Sequence, residues 1–230
     1  VAFNRAFNEA GLDWHWDIET YDRLLKVFGG KERIRYYIED FLTGFNAPED
    51  LDSFIGKLHK LKTEHYLQLL KAGALPLRPG VARLIKEAHS AGLKLAIAST
   101  TTLENALLLV KLTLGEKSLE WFDVIACGDI VEAKKPAPDI YLYTLEKLAL
   151  EASECLVIED TEAGLVSAMS AGLTTVVTVN DATRQQDFSG AAIVLDHLGD
   201  PGHAFDVLVV DAGDAALADL NLLKRIHTNT

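Results

Sequence analysis

Apolar residues recur along the chain at helical spacing up to about residue 76, and at mixed spacings after it. Phe3, Ala6, Phe7 and Ala10 stand at i, i+3, i+4 and i+7, one face of a helix that Gly11 ends. Ile18, Tyr21, Leu24, Leu25 and Phe28 predict a second helix, broken by Gly29-Gly30. A third covers Arg33 to Leu42, and Phe45-Asn46-Ala47-Pro48 makes a turn. Pro48-Glu49-Asp50 suits a helix start, and Leu51, Phe54, Ile55, Leu58, Leu61 and Leu69 carry a fourth helix to Gly73.

Beyond Pro76 short apolar runs alternate with amphipathic ones. Pro79-Gly80 precedes a helix through His89, and Gly92 stops it. Leu93–Ala98 reads as a buried strand, followed by a helix over Leu103–Leu112 and a short strand at Phe122–Ala126. A helix over Pro138–Leu148, a strand at Cys155–Ile158 and a helix at Ala163–Ser170, closed by Gly172, repeat the cycle. Thr174–Val179 and Ala192–Leu195 are two further strands. Strands alternating with helices predict a Rossmann-like parallel sheet covered on both faces. The expected division is a helical domain at 1–76 and an α/β domain at 77–230, with the boundary near Leu75-Pro76-Leu77-Arg78-Pro79.

Composition narrows the function classes. At 230 residues with 49% hydrophobic side chains, the chain can bury most of its apolar surface without disulfides or metals. Its net charge of −12 repels phosphate backbones, so nucleic-acid binding is not expected. Runs such as Leu107–Val110 and Val207–Val210 are far short of the roughly 20 residues a membrane helix needs. Cys127 and Cys155 lie in apolar segments and are expected as free thiols in a reducing compartment, the cytoplasm or, for a eukaryotic source, the plastid stroma. The chain opens at Val1 directly inside an amphipathic pattern, without a signal-peptide pattern, so further residues are expected upstream.

In open parallel sheets ligands bind outside the carboxyl ends of the strands. Three such ends carry chemistry here. Ser99-Thr100-Thr101-Thr102 follows the first strand, and hydroxyls with free N–H groups before a helix make an anion site. The same residues also serve as an N-cap with its turn. In Gly128-Asp129-Ile130-Val131-Glu132-Ala133-Lys134-Lys135-Pro136-Ala137-Pro138-Asp139, the prolines give a rigid lead that can hold a lysine still, although loop lysines are usually solvated. Glu159-Asp160-Thr161-Glu162-Ala163-Gly164 puts two carboxylates at a strand end, where Mg²⁺ would relieve their repulsion; alternatively Asp160 caps the next helix. An anion donor, a lysine and an acid pair on one rim are the parts of phosphoryl transfer.

Ala-Ile-Ala-Ser-Thr at 96–100, Lys134-Lys135-Pro136-Ala137-Pro138-Asp139 and Val157-Ile158-Glu159-Asp160-Thr161-Glu162-Ala163-Gly164 resemble motifs II, III and IV of the haloacid dehalogenase superfamily. The helical part is similar to the small cap domain of its phosphoglucomutase-like subfamily. Gly29-Gly30-Lys31-Glu32-Arg33 and Leu12-Asp13-Trp14-His15-Trp16-Asp17 resemble the CbbY branch, the xylulose-1,5-bisphosphate phosphatases. The resemblance implies that Ser99, with Thr100 and Thr101, binds phosphate, that Lys135 is the motif III lysine, and that Asp160 and Glu159 serve Mg²⁺, Glu159 as ligand or just behind it. It implies that Gly30, Lys31 and Arg33 grip the distal part of the substrate and that Lys62 reaches into the site; without it, Lys31, Arg33 and Lys62 read as a solvated helix face.

Motif I of that family, an Asp-x-Asp pair on the first strand followed by Gly-Thr, is not matched. Asp50-Leu51-Asp52 has the spacing but sits at a polar helix start, and Asp211-Ala212-Gly213-Asp214 has the wrong spacing. The resemblance places Val1 just after motif I, so the nucleophile and central strand are expected upstream, and the 1–230 chain by itself is expected to lack turnover. The expected function is a Mg²⁺-dependent, monomeric phosphatase of a small sugar phosphate, acting through an aspartyl-phosphate. The alternatives are a β-phosphoglucomutase-like phosphomutase or a non-catalytic phosphosugar-binding protein.

Overall fold

The computed structural model describes residues 1–230 except Phe28, Ala74, Leu75, Val210, Asp211, Asp214, Asn229 and Thr230. The chain forms two compact units, 1–75 and 76–230. The expected helix position at Phe28, the boundary residue Leu75 and the Asp211/Asp214 pair thus fall outside the described residues.

The first unit is helical: α1 (Ala2–Glu9), α2 (Ile18–Leu24), α3 (Gly30–Phe41) and α4 (Leu51–Lys71). Its core is aromatic, built from Phe3, Phe7, Trp14, Trp16 and Tyr37 with Leu24, Ile34, Ile55 and Leu58. Residues 12–17 run extended between α1 and α2, so Trp14 and Trp16 turn inward while Asp13 and His15 stay exposed. Asn4 fixes that segment by exchanging two hydrogen bonds with the Trp16 backbone, at 2.8 and 2.9 Å. Asp17 then caps α2 by accepting from the Thr20 N–H.

The second unit alternates: α5 (Val81–Ser90), β1 (Ala96–Ser99), α6 (Leu103–Leu114), β2 (Val124–Cys127), α7 (Asp139–Leu148), β3 (Leu156–Glu159), α8 (Glu162–Ser170), β4 (Thr174–Thr178), β5 (Ile193–Leu195), β6 (Val207–Val209) and α9 (Leu220–Thr228). β1 pairs with β2 in parallel, and β3, β4 and β5 form a second parallel set that β6 extends antiparallel. Val176, Val177, Ile193, Val194 and Leu195 are buried between flanking helices, as the α/β reading requires.

Three expectations change. The segment Leu93–Ala98 is not a buried strand: pairing starts at Ala96, and Leu93 is 45% exposed. Its N–H closes the end of α5 on Ala88 O after Gly92 turns at φ +72°, which delays the strand. Among the described residues β1 pairs only with β2, and β3 only with β4. β1 is therefore half-open, and Ile158 in β3 is 40% exposed. Asp160 is not the cap of α8; Thr161 is, accepting from the Gly164 N–H at 3.0 Å.

Candidate active site

The three predicted loops meet at the carboxyl ends of β1 and β3. Ser99 ends β1, and its hydroxyl accepts from the Thr101 N–H at 3.2 Å, bending the chain into a tight turn. The cap of α6 is Thr102, which accepts from the Asn105 N–H. Ser99, Thr100 and Thr101 are therefore not used as the cap. The buried Asn105 side chain donates to Thr101 Oγ1 at 3.3 Å, and its Oδ1 has no partner among the described residues.

The two loop lysines diverge. Lys134 pairs with Asp129 at 3.1 Å near the surface. Lys135, followed by Pro136 across a cis peptide, turns inward and is 8% exposed. Its ammonium donates to Ala98 O on β1 at 3.1 Å, to the Tyr141 hydroxyl on α7 at 3.1 Å, and to Glu159 Oε1 on β3. Tyr141 also donates its O–H to Glu159 Oε1. Burial first, then the Glu159 charge and the hydrogen bond to it, push the Tyr141 hydroxyl far above its ordinary pKa.

Glu159 is buried, and both its oxygens have protein partners: Oε1 as above, and Oε2 the Asp160 N–H at 3.1 Å. Gly164 makes room for it, since a Cβ there would stand 1.9 Å from Oε2. In this arrangement the carboxylate holds Lys135 in place. Asp160 makes no ion pair among the described residues and is open to solvent on one side. The surrounding protein, then the neighbouring Glu159 charge, raise its pKa above the ordinary carboxylate value, and Lys135 and Arg78 pull it back in part. No cluster of three or more His, Cys, Asp or Glu side chains stands together among the described residues. One uncommitted, crowded carboxylate fits Mg²⁺, which keeps several waters and binds through one or two carboxylates and substrate phosphate.

In the helical unit, Gly30 starts α3 against His59, where a Cβ would lie 2.5 Å from the ring. Lys31 is exposed beside it. Arg33 is anchored within its own unit: Nε donates to Leu24 O, Nη2 to Val27 O and Nη1 to the Tyr21 hydroxyl, at 3.1 to 3.2 Å. It thus holds the carbonyls at the end of α2, which is why that helix stops earlier than its apolar pattern. Lys62 is half-buried over Phe3 and Tyr66, at 5.5 and 5.1 Å from the ring centroids. Burial, then the Arg33 charge, lower its pKa. The solvated-face reading fails for Arg33 and Lys62.

Sequence reasoning missed Tyr141, Asn105 and Arg78. Arg78 donates to the carbonyls of Thr178, Val179 and Asp196 at the ends of β4 and β5. Tyr141 carried a signal: it lies six residues beyond Lys135, after the proline lead that aims both at one strand end.

The sequence profile of the haloacid dehalogenase-like hydrolases matches residues 2–172. The chain is 47% identical to the plasmid-encoded protein CbbY of Cupriavidus necator, over all of this chain and 90% of that one. It is similar to the crystal structure of CbbY from Rhodobacter sphaeroides in complex with phosphate, at 42% identity and TM-score 0.79 over 85% of each chain. A mutant of the same protein in complex with xylulose-(1,5)bisphosphate matches equally well, with 42% identity and TM-score 0.79 over 85% of each chain.

Proposed function

The chain belongs to the haloacid dehalogenase-like hydrolases and is a phosphatase of that family, and on that premise we propose that it hydrolyses a small sugar phosphate, a bisphosphate such as xylulose 1,5-bisphosphate. The observation that carries this reading is the inward Lys135, held at the ends of β1 and β3 beside Ser99 and Asp160. A fixed ammonium next to a hydroxyl turn stabilises the oxygens of a transferring phosphoryl group. Ser99 binds one of those oxygens, and the Thr100–Thr101 turn keeps its hydroxyl in place.

Asp160 would hold Mg²⁺, with Glu159 behind it on Lys135. When bound, that ion offsets charge on the phosphoryl oxygens. Attack on phosphorus belongs to the aspartate of the family's motif I, forming an aspartyl-phosphate that water then cleaves. Asp50-Leu51-Asp52 does not supply it, because Asp50 caps α4 and Asp52 pairs with Arg35. Recognition of the rest of the substrate falls to the helical unit as a cap, with Lys62 the cation for its distal anion, the Gly30 approach and Lys31 beside it, and Arg33 framing them. The enzyme works as a monomer in a reducing compartment, the cytoplasm or plastid stroma, consistent with its two free thiols.

The test is product analysis with the intact protein. Free phosphate from the bisphosphate supports the reading; an isomeric sugar phosphate marks a mutase, and binding without turnover a non-catalytic protein. Lys135→Ala should lower kcat by roughly 10²–10³ for the sugar bisphosphate and for a small aryl phosphate alike. Unchanged turnover in this variant would sink the assignment.

A further inference from the structure

We propose that Tyr141 is the positioning residue for Lys135, setting where its ammonium stands at the strand ends. This rests on the reading of Lys135 as the lysine that meets the phosphoryl group. A lysine is a point charge on a flexible stem with three donors, so its place is set by its acceptors. Here the acceptors are Ala98 O, the Tyr141 hydroxyl and Glu159 Oε1. Two of them come from strands, and the third from the side chain of a helix.

Tyr141 touches both members of the ion pair. Its oxygen accepts from Nζ, and its O–H donates to the Glu159 oxygen that also faces Nζ. The ring centroid lies 4.7 Å from Nζ. The residue is 5% exposed and packs in the cluster of Ala126, Ile140, Ala168 and Leu173, so the hydroxyl rides on a rigid helix. Without that oxygen, one N–H of the ammonium loses its acceptor and Glu159 loses a donor. Ala98 O and Glu159 would then hold the ammonium from two directions rather than three, and its position would spread. A phosphoryl oxygen would still bind in the site, but the charge would be misplaced in the transition state.

The experiment is a double-mutant cycle in the intact enzyme, with kcat and KM measured on one sugar phosphate and one small aryl phosphate. Tyr141→Phe keeps the ring and removes the hydroxyl. It should lower kcat roughly tenfold with KM little changed, the size expected for one hydrogen bond to a charged group. In a Lys135→Met background the same substitution should cost nothing further, because its effect acts through the lysine. Equal losses in both backgrounds would overturn the role of Tyr141 and leave the lysine assignment standing. Full turnover by Lys135→Met would instead remove the proposed function itself. If Tyr141→Phe melts early, Leu148→Ala at the far end of α7 serves as a destabilised control. A control that keeps its kcat supports the proposal; one that loses as much kcat overturns it.

Discussion

A carboxylate at a strand end, with another carboxylate immediately before it, is poorly placed for negative charge. Asp160 stands there, and its pKa is raised above 3.8 by burial and then by Glu159. Above 3.8 the folded state therefore binds more protons than the unfolded chain, and stability falls as pH rises through the window up to the folded pKa. The penalty is complete once the pH has passed the folded pKa. Asp160→Asn should raise the melting temperature at pH 7 in metal-free buffer, and the gain should fade as the pH drops below the unfolded value. Mg²⁺ should stabilise the parent and not the variant, by about 2.7 kcal/mol at a hundredfold excess over Kd, seen as a higher melting temperature. A variant that melts like its parent at every pH would rule this out. Arg33 makes the complementary case. Its place in the helical unit was legible from the motif, but what it grips was not, since backbone carbonyls leave no mark in a sequence. Because it holds the end of α2, Arg33→Ala should cost that unit about 1–2 kcal/mol in denaturant unfolding. Loss of selectivity for a distal anion, with stability untouched, would contradict the anchoring role.

Elements were legible where the periodic pattern was long. α4 was read from Leu51, Phe54, Ile55 and Leu58, and the two ends fall within two residues of the expectation. β6 and α9 were not read. β6 has three residues, all exposed, so it lacks the inward–outward alternation that marks a strand. α9 does present an apolar face, Leu220, Leu222, Leu223 and Ile226, which packs on the core; it is short, nine residues, and was passed over. The entry to α5 shows how an element is seated by backbone rather than pattern. Gly80 has φ +84°, and a Cβ there would come within 2.5–2.6 Å of the Leu198–Gly199 backbone. Arg83, one turn on, donates to the carbonyls of Leu198, Gly199 and Ala218. Gly80→Ala combines a left-handed backbone with a collision that neither segment can absorb. It should destabilise the α/β unit by at least about 2 kcal/mol, seen as a lower urea midpoint. A midpoint equal to the parent's would show that the loop gives way freely.

Across the whole molecule, the convergence of three loops was legible because parallel strands put all their carboxyl ends on one rim. The division of labour within that rim came from the family resemblance, which named Lys135 rather than Lys134 and put Asp160 ahead of Glu159. Periodicity alone did not separate the two pairs, because β1, β2 and β3 each end one residue beyond the expectation. The arrangement of strands in two separate sets has a further consequence, for the rates at which thiols meet a reagent. Cys127 is the last residue of β2, and Cys155 immediately precedes β3, so each set carries one native chemical clock. Neither thiol is in a disulfide, and burial raises the pKa of both. Thiolate is the reacting form, so modification of Cys127 by a disulfide reagent awaits local opening of its strand, whereas half-buried Cys155 should react sooner. Lys135 links Ala98 in one set to Glu159 in the other. Its removal should accelerate Cys127 more than Cys155, read by mass spectrometry over a time course. Equal acceleration would mean that the two sets breathe as one body and that the lysine is no strut between them.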